Sequence, residues 1–197
     1  MGVERDMSSL IPALPVKLRE ADRPALIEHF IALDPEDRRL RFGTPLTDEA
    51  LRAYVARIDF HHDRVFAVQD DRLRIVAAVH VARSGDSAEL GLSVLPGFRG
   101  AHLGSVLFER AAVHLRNSGV ATVQIHCLTE NAAMMHIARK NGMHLTSGGS
   151  EADALLALAR PTPQTYFVEW LQDRQADALH AVRQQARISR AFFGLPN

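Results

Sequence analysis

The chain has 197 residues, and its 23 lysine and arginine side chains balance 23 aspartate and glutamate side chains, so the formal net charge is zero. This balance argues against binding to nucleic acid or to a membrane surface, and the length suits one domain-sized core. The single cysteine, Cys127, excludes an internal disulfide and a cysteine zinc cluster. With no signal-peptide pattern and no apolar run long enough to span a membrane, we expect a cytoplasmic protein.

The first half of the chain is predicted to contain two helices and three strands. Residues 1–14 are expected to form a flexible tail, and the charged segment 34–42 to form a turn. Asp22 and Thr47 are typical N-caps for the two helices. Strands are predicted at residues 15–19, 64–69 and 74–82, the last followed by a hairpin turn at 84–87.

The stretch 90–109 changes its periodicity in the middle. Leu90, Leu92 and Val94 alternate with smaller residues, which predicts a strand, and a glycine-rich turn follows. From Leu103 onward apolar residues recur every four positions, which predicts an amphipathic helix. Gly100 and Gly104 suggest that the backbone of this turn closely approaches another group. The N-terminus of such a helix offers unpaired N–H groups to an anion, so we expect it to bind a phosphate or pyrophosphate.

The rest of the chain completes an α/β pattern. Residues 121–128 are predicted to be a strand buried on both faces, Asn131 caps a short helix, and strands follow at 143–146 and 152–159. Residues 161–197 predict a long helix, which either docks on the domain or contacts a second copy or a partner. We therefore predict a mixed central sheet flanked by helices, with an added C-terminal helix.

Two segments resemble motifs of the GNAT N-acetyltransferases. The first, Arg99-Gly-Ala-His-Leu-Gly104, resembles the loop with which that family holds the pyrophosphate of acetyl-coenzyme A, although His102 replaces the usual glycine. The second is the asparagine-capped helix of residues 130–142. The resemblance covers residues 15–160 and implies one GNAT domain, with residues 161–197 as a helical extension. It also implies acetyl-coenzyme A as the acetyl donor.

The resemblance assigns cofactor-binding positions residue by residue. Strand residues are expected to pair with the pantetheine arm, and the loop with the pyrophosphate. His102 either places positive charge near the pyrophosphate or points to solvent, and Asn131 either touches the cofactor or only caps its helix. The expected cofactor-binding residues are Leu92, Ser93, Val94, Arg99, Gly100, Ala101, His102, Leu103, Gly104, Ser105 and Asn131.

Shorter strings around residues 38–42, 58–59 and 88–89 are similar to Pat-type protein lysine acetyltransferases. That similarity implies Glu89 as the general base. Strand alternation also puts Glu89 on the same face as Gly91 and Ser93, which leave room for a ligand. The alternative is an ordinary exposed glutamate.

His80 is a second candidate for proton transfer. If the hairpin pairs Arg83 with Ala88, His80 lies diagonally from Glu89 on the same face, within reach of a bridging water. A structural histidine is the alternative. Many GNAT enzymes carry a catalytic tyrosine where this chain has Ala138, and no metal site is expected, because His61 and His62 lack a third ligand at suitable spacing.

Together these features favour an N-acetyltransferase that acts on a primary amine, for which a protein lysine is one candidate. A small-molecule amine or amino acid is the alternative acceptor. A non-catalytic acyl-coenzyme A binding module is the alternative from a different functional class. Besides acetyl-coenzyme A and the acceptor, the partner considered is a second copy of the chain.

Overall fold

The computed structural model describes residues 14–193, and the side chains of residues 14–185. The predicted tail of residues 1–14 lies, apart from its last residue, outside this range. The strands are β1 (Val16–Lys17), β2 (Arg64–Gln69), β3 (Ile75–Ser84), β4 (Ser87–Val94), β5 (Thr122–Leu128), β6 (His144–Gly148) and β7 (Glu151–Ala157). The helices are α1 (Arg23–Ile31), α2 (Pro35–Phe42), α3 (Asp48–Arg57), α4 (Leu103–Asn117), α5 (Ala132–Lys140) and α6 (Pro163–Phe193).

The seven strands form one mixed sheet in the order β1-β2-β3-β4-β5-β7-β6. Every neighbouring pair is antiparallel except β4 and β5, which are parallel. The predicted hairpin register is confirmed, since Arg83 pairs with Ala88, and His80 lies opposite Gly91. The mixed α/β sheet with flanking helices and a C-terminal helix is therefore confirmed.

Apolar side chains bury both faces of the sheet, because strand alternation sends successive residues to opposite sides. On one face, α4 and α5 cover a cluster that includes Leu90, Leu107 and Ile125. On the other face, α1 and α3 cover a cluster that includes Phe30 and Val55. The sheet is thus held rigidly between two layers of helix.

Segment 34–42 was expected to be a turn, and this prediction is wrong. The segment forms α2, whose N-cap Asp34 accepts a hydrogen bond from the backbone N–H of Asp37. Pro35 occupies the first turn, and Gly43 ends the helix with a φ of 77°. Both are common helix boundaries, so the capping signals were present within a segment of high charge.

The prediction that β5 is buried on both faces is also wrong. Its residues alternate strictly, with Val123, Ile125 and Cys127 buried, and Gln124 and His126 exposed. One face of β5 therefore opens to solvent at the centre of the molecule, beside β4.

The C-terminal helix α6 docks on the domain, against α4 and β1. Its Glu169 lies 3.4 Å from a terminal nitrogen of the buried Arg110, and Asp173 pairs with the same guanidinium. Farther along, Arg183 donates to the backbone carbonyl of Gln69. None of the helices within residues 14–193 is both long and apolar enough to cross a membrane.

Glu169 carries a pH-dependent part of this attachment. Burial raises the pKa of its carboxyl, but hydrogen bonds from His114 and Asn117, with the charges of His114 and Arg110, outweigh burial and lower the pKa to about 2. A carboxyl whose pKa is depressed in the folded state stabilises the fold above its unfolded pKa, near 4.5. That contribution is lost as the pH falls toward 2.

We predict that Glu169→Gln lowers the free energy of unfolding by about 2 kcal/mol at neutral pH, because a buried arginine loses one of its counter-charges. The difference from wild type should shrink as the pH falls from about 4.5 to 2. Thermal unfolding across this pH range measures it. Glu109→Gln, which removes an exposed charge on α4, is the control. A difference that does not change with pH would contradict the role of the ionised carboxylate.

Candidate active site

The sheet opens between β4 and β5. All eight residues of β4 pair with β3, from Ser87 to Val94. On its other edge β4 pairs with β5 only from Ser87 to Glu89, where Glu89 lies opposite Gln124. Beyond that point the edge of residues 90–94 has no strand partner within residues 14–193. A buried edge with free N–H and C=O groups is suited to an extended ligand that supplies the missing hydrogen bonds.

A cleft of about 550 Å³ follows this opening. Its walls come from β4, the loop before α4, the start of α5, and α2. The predicted cofactor-binding residues other than Ala101 line it, namely Leu92, Ser93, Val94, Arg99, Gly100, His102, Leu103, Gly104, Ser105 and Asn131. The fold therefore brings together two sequence motifs that are about thirty residues apart in the chain.

The loop at the start of α4 presents backbone N–H groups to the cleft. Gly100 and His102 both have left-handed backbones, with φ of 79° and 58°, and α4 has no acidic side chain in its first turn. Left-handed geometry costs a non-glycine residue about 1 to 2 kcal/mol. His102 therefore keeps the conformation that glycine would adopt freely, and its side chain is exposed.

Gly104 serves helix packing. A Cβ atom at this position would lie 2.9 Å from Cδ1 of Ile137 on α5. The close approach expected of Gly104 is thus toward a side chain of the protein, while Gly100 has open space around it.

Arg99, the first residue of the loop motif, pairs with Asp37 on α2. Burial raises the pKa of the Asp37 carboxyl, although the charge of Arg99 opposes this. The second carboxylate oxygen of Asp37 is buried and has no hydrogen-bond partner within residues 14–185. A carboxylate therefore lines the cleft at the place expected to receive an anion, and the sequence near the loop gives no sign of it.

Asn131 links two helices. Its side-chain oxygen accepts from the backbone N–H of Met134 at 3.1 Å, which caps α5, and its nitrogen donates to the carbonyl of Leu40 at 3.2 Å. The cap is confirmed. Asn131 also fixes α5 against α2 at the edge of the cleft.

The face of β4 that was expected to leave room for a ligand is filled by the protein. Arg41 from α2 lies directly over Gly91, where any Cβ atom would overlap its guanidinium. Ser93 donates its hydroxyl to Nε2 of His29 at 2.7 Å, because Nδ1 of that ring donates to the carbonyl of Ile75. Burial lowers the pKa of His29 to about 4, so the ring is neutral. The free space lies along the edge of β4 and beside Glu89.

A second cavity of about 340 Å³ adjoins the cleft. The two share Leu40, Arg41, Leu92 and Met134. Glu89 lines this second cavity with an exposed side chain, and no hydrogen bond or ion pair engages it within the described part of the chain. On the opposite wall, His126 donates to Asp153 at 2.8 Å, which raises the pKa of the imidazole.

His80 is held at both ring nitrogens. Arg41 can only donate, so it donates to the hydroxyl oxygen of Tyr54 at 3.1 Å. Tyr54 then donates to Nδ1 of His80 at 2.6 Å, and Nε2 donates to Asp63 at 3.1 Å. Burial lowers the pKa of His80, so the ring is neutral at neutral pH. Neither nitrogen is left to join a water beside Glu89.

Comparison with known proteins decides the family. The model of a family described as acetyltransferase (GNAT) domain matches residues 16–144. The chain belongs to the GNAT family. It is accordingly an N-acetyltransferase that uses acetyl-coenzyme A, and the GNAT fold predicted from the two motifs is confirmed. A search of curated proteins gives no significant match.

Solved structures show the same fold at low identity. The GNAT domain of S. lividans PAT is 19% identical over 73% of this chain and 88% of that chain, with a TM-score of 0.62. The Escherichia coli ribosomal-protein-S18-alanine N-acetyltransferase is 20% identical over 73% and 91%, with a TM-score of 0.54. Spermidine N-acetyltransferase from Vibrio cholerae is 17% identical over 73% and 95%, with a TM-score of 0.58. At these identities the likeness shows the fold alone.

The open edge and cleft of this GNAT domain fit acetyl-coenzyme A. The helix start suits its pyrophosphate and the unpaired edge of residues 90–94 suits its extended arm. Sequence reasoning missed three residues of the site: Asp37, Arg41 and Tyr54. Each comes from α2 or α3 and reaches the site only through tertiary packing. The helical caps of α2 are the one local signal that could have pointed to Asp37 and Arg41.

We predict that Asp37→Asn tightens acetyl-coenzyme A binding several-fold, about 1 kcal/mol, because it removes a negative charge from the cleft and frees Arg99. Isothermal titration measures the dissociation constant. Glu36→Gln is the matched control, since Glu36 is the preceding residue and pairs with Arg39 outside the cleft. Weaker binding by Asp37→Asn would show that this carboxylate orients Arg99 for the ligand, and unchanged binding would show that its charge does not oppose the ligand.

Proposed function

We propose that this GNAT enzyme acetylates a primary amine that enters the second cavity, with Glu89 as the general base. The observation that carries the proposal is the position of Glu89. It is the last residue of β4 that pairs with β5, and its carboxylate lines the second cavity at the point where the sheet opens.

The chemistry requires a base at this place. An amine with a pKa near 10 is almost entirely ammonium at neutral pH and must lose a proton before it can attack. Glu89 is exposed to the cavity and has no partner among the residues that the structure describes, so it is available to take that proton. The bound donor supplies a thioester carbonyl, and backbone N–H groups on the open edge of β4 are placed to stabilise charge that develops on its oxygen.

His80 is assigned a positioning role in this proposal. Its neutral ring joins Tyr54 to Asp63 and so holds the Tyr54 hydroxyl toward Arg41. The direct proton-relay role considered for His80 has no support from this geometry. The protein-lysine acceptor remains a prediction from the sequence resemblance to Pat-type enzymes.

We predict that Glu89→Gln lowers kcat by about 10²- to 10⁴-fold, the usual contribution of a general base. The affinity for acetyl-coenzyme A should stay within about twofold, because Glu89 lies outside the cofactor cleft. The loss should diminish as the pH approaches about 10, where the acceptor loses its proton unaided. Steady-state kinetics across pH and cofactor titration measure these quantities.

Glu151→Gln is the matched control, because Glu151 also lines the cavity with a carboxylate but lies on β7. We expect it to retain most of the wild-type kcat. If Glu151→Gln loses as much turnover as Glu89→Gln, or if Glu89→Gln is as active as wild type, the assignment of Glu89 is wrong.

A further inference from the structure

Arg41 is an unusual charge in the second cavity. It is half-buried, its guanidinium lies over Gly91, and its Nε is buried without a hydrogen-bond partner among the described residues. Its one side-chain hydrogen bond within the described residues goes to the Tyr54 hydroxyl, which is neutral. The rings of Phe42 and Tyr54 lie 4.7 and 5.9 Å from the guanidinium carbon.

The other two arginines of α2 have carboxylate partners. Arg38 lies 2.8 Å from Asp48, and Arg39 lies 2.7 Å from Glu36. For Arg41, no carboxylate of the described chain comes within ion-pair distance. A partly desolvated guanidinium without a counter-ion is costly unless an anion completes the site. Because Arg41 faces a cavity, there is room for a bound molecule to place an anionic group beside it.

The spacing along β4 limits what that molecule is. Gly91, under Arg41, follows Glu89 by two residues on the same face of the strand, which corresponds to about 7 Å. If the amine of an acceptor lies at Glu89, a short aliphatic chain is therefore long enough to place a second group of the acceptor beside Arg41. The planar fork of an arginine matches a carboxylate.

We propose that Arg41 binds the carboxylate of the acceptor, so that the preferred substrate class is a small amino acid whose free carboxylate lies a few bonds from its primary amine. This inference rests on the assignment of the second cavity as the acceptor site. Tyr54, held by His80 and Asp63, positions the guanidinium. A lysine side chain within a protein has no such carboxylate, and a polyamine would place a second positive charge against Arg41.

The test compares acids with their uncharged carboxamides. The probes are glycine, β-alanine and γ-aminobutyrate, their three amides, a diamine, and a peptide that has blocked ends and one lysine with a free side-chain amine. We expect wild type to favour at least one acid over its amide by tenfold or more in kcat/KM. Arg41→Gln should reduce this ratio to near one, and Arg41→Lys should keep part of it, because the charge remains without the fork.

A binding measurement makes the test independent of turnover. The dissociation constants of the N-acetylated acids and N-acetylated amides are measured by calorimetry in the presence of coenzyme A. Wild type should bind the acetylated acid at least tenfold more tightly than the amide, and Arg41→Gln should remove that difference. Arg39→Gln, on the same helix but paired with Glu36 and Glu130, should leave it unchanged.

The outcomes separate this inference from the proposed function. If wild type acetylates the amides, the diamine or the lysine peptide as well as the acids, Arg41 does not select a carboxylate, although the enzyme still acetylates amines. If Arg41→Gln weakens acid and amide equally, Arg41 acts on the donor or on the fold and the inference is wrong. If the acid preference appears in binding but no probe is acetylated, Arg41 still binds a carboxylate, but the proposed function and the substrate class that rests on it both fail.

Discussion

The separation of β4 from β5 is the constraint on which the site depends. Two parallel strands that pair through only three residues leave backbone groups unsatisfied in the middle of a sheet, where water reaches them poorly. The strands on either side, β3 and β7, remain fully paired with β4 and β5 and hold the opening in place. The cleft, the second cavity and the position of Glu89 all follow from this one interruption.

Much of the fold was predictable because it is encoded locally. Alternation in β4, the turn before α4 and the capped α5 each carry a periodic or capping signal, and the register of β3 against β4 follows from the length of their hairpin turn. The prediction failed at α2, where a high density of charge hid a normal cap at each end. It also failed at β5, since an apolar composition concealed two polar residues, Gln124 and His126, that share one face.

The candidate site was predictable only in part, for a physical reason. Motif residues that line the cleft are close in sequence, so their spacing identifies them. Arg41, Tyr54 and Asp37 act through contacts between elements that are far apart in the chain, and no local pattern encodes such contacts. The space over Gly91, which Arg41 fills, is another feature that local sequence patterns do not predict. Strand alternation correctly places Gly91 on the face of Glu89, but what covers that face depends on how α2 packs.

Two arginines of this protein differ in how their charges are paired, and this difference separates a structural role from a binding role. Arg110 is almost fully buried, and Glu169 and Asp173 neutralise it, so it joins α6 to α4. Arg41 is half-buried, and within the described part of the chain its one hydrogen bond goes to a hydroxyl. The ion pairs of Arg110 stabilise the fold, whereas the positive charge of Arg41 stays available to a ligand in the cavity.

The left-handed His102 has a consequence for the dynamics of the loop. Glycine would let this segment sample many backbone shapes before a ligand arrives, whereas a residue with a Cβ atom has far fewer. Its strain is therefore already present in the unliganded enzyme, and less configurational entropy remains to be lost when an anion docks. A non-glycine residue at the N-terminus of a helix can in this way lower folding stability and at the same time preorganise the loop for its ligand.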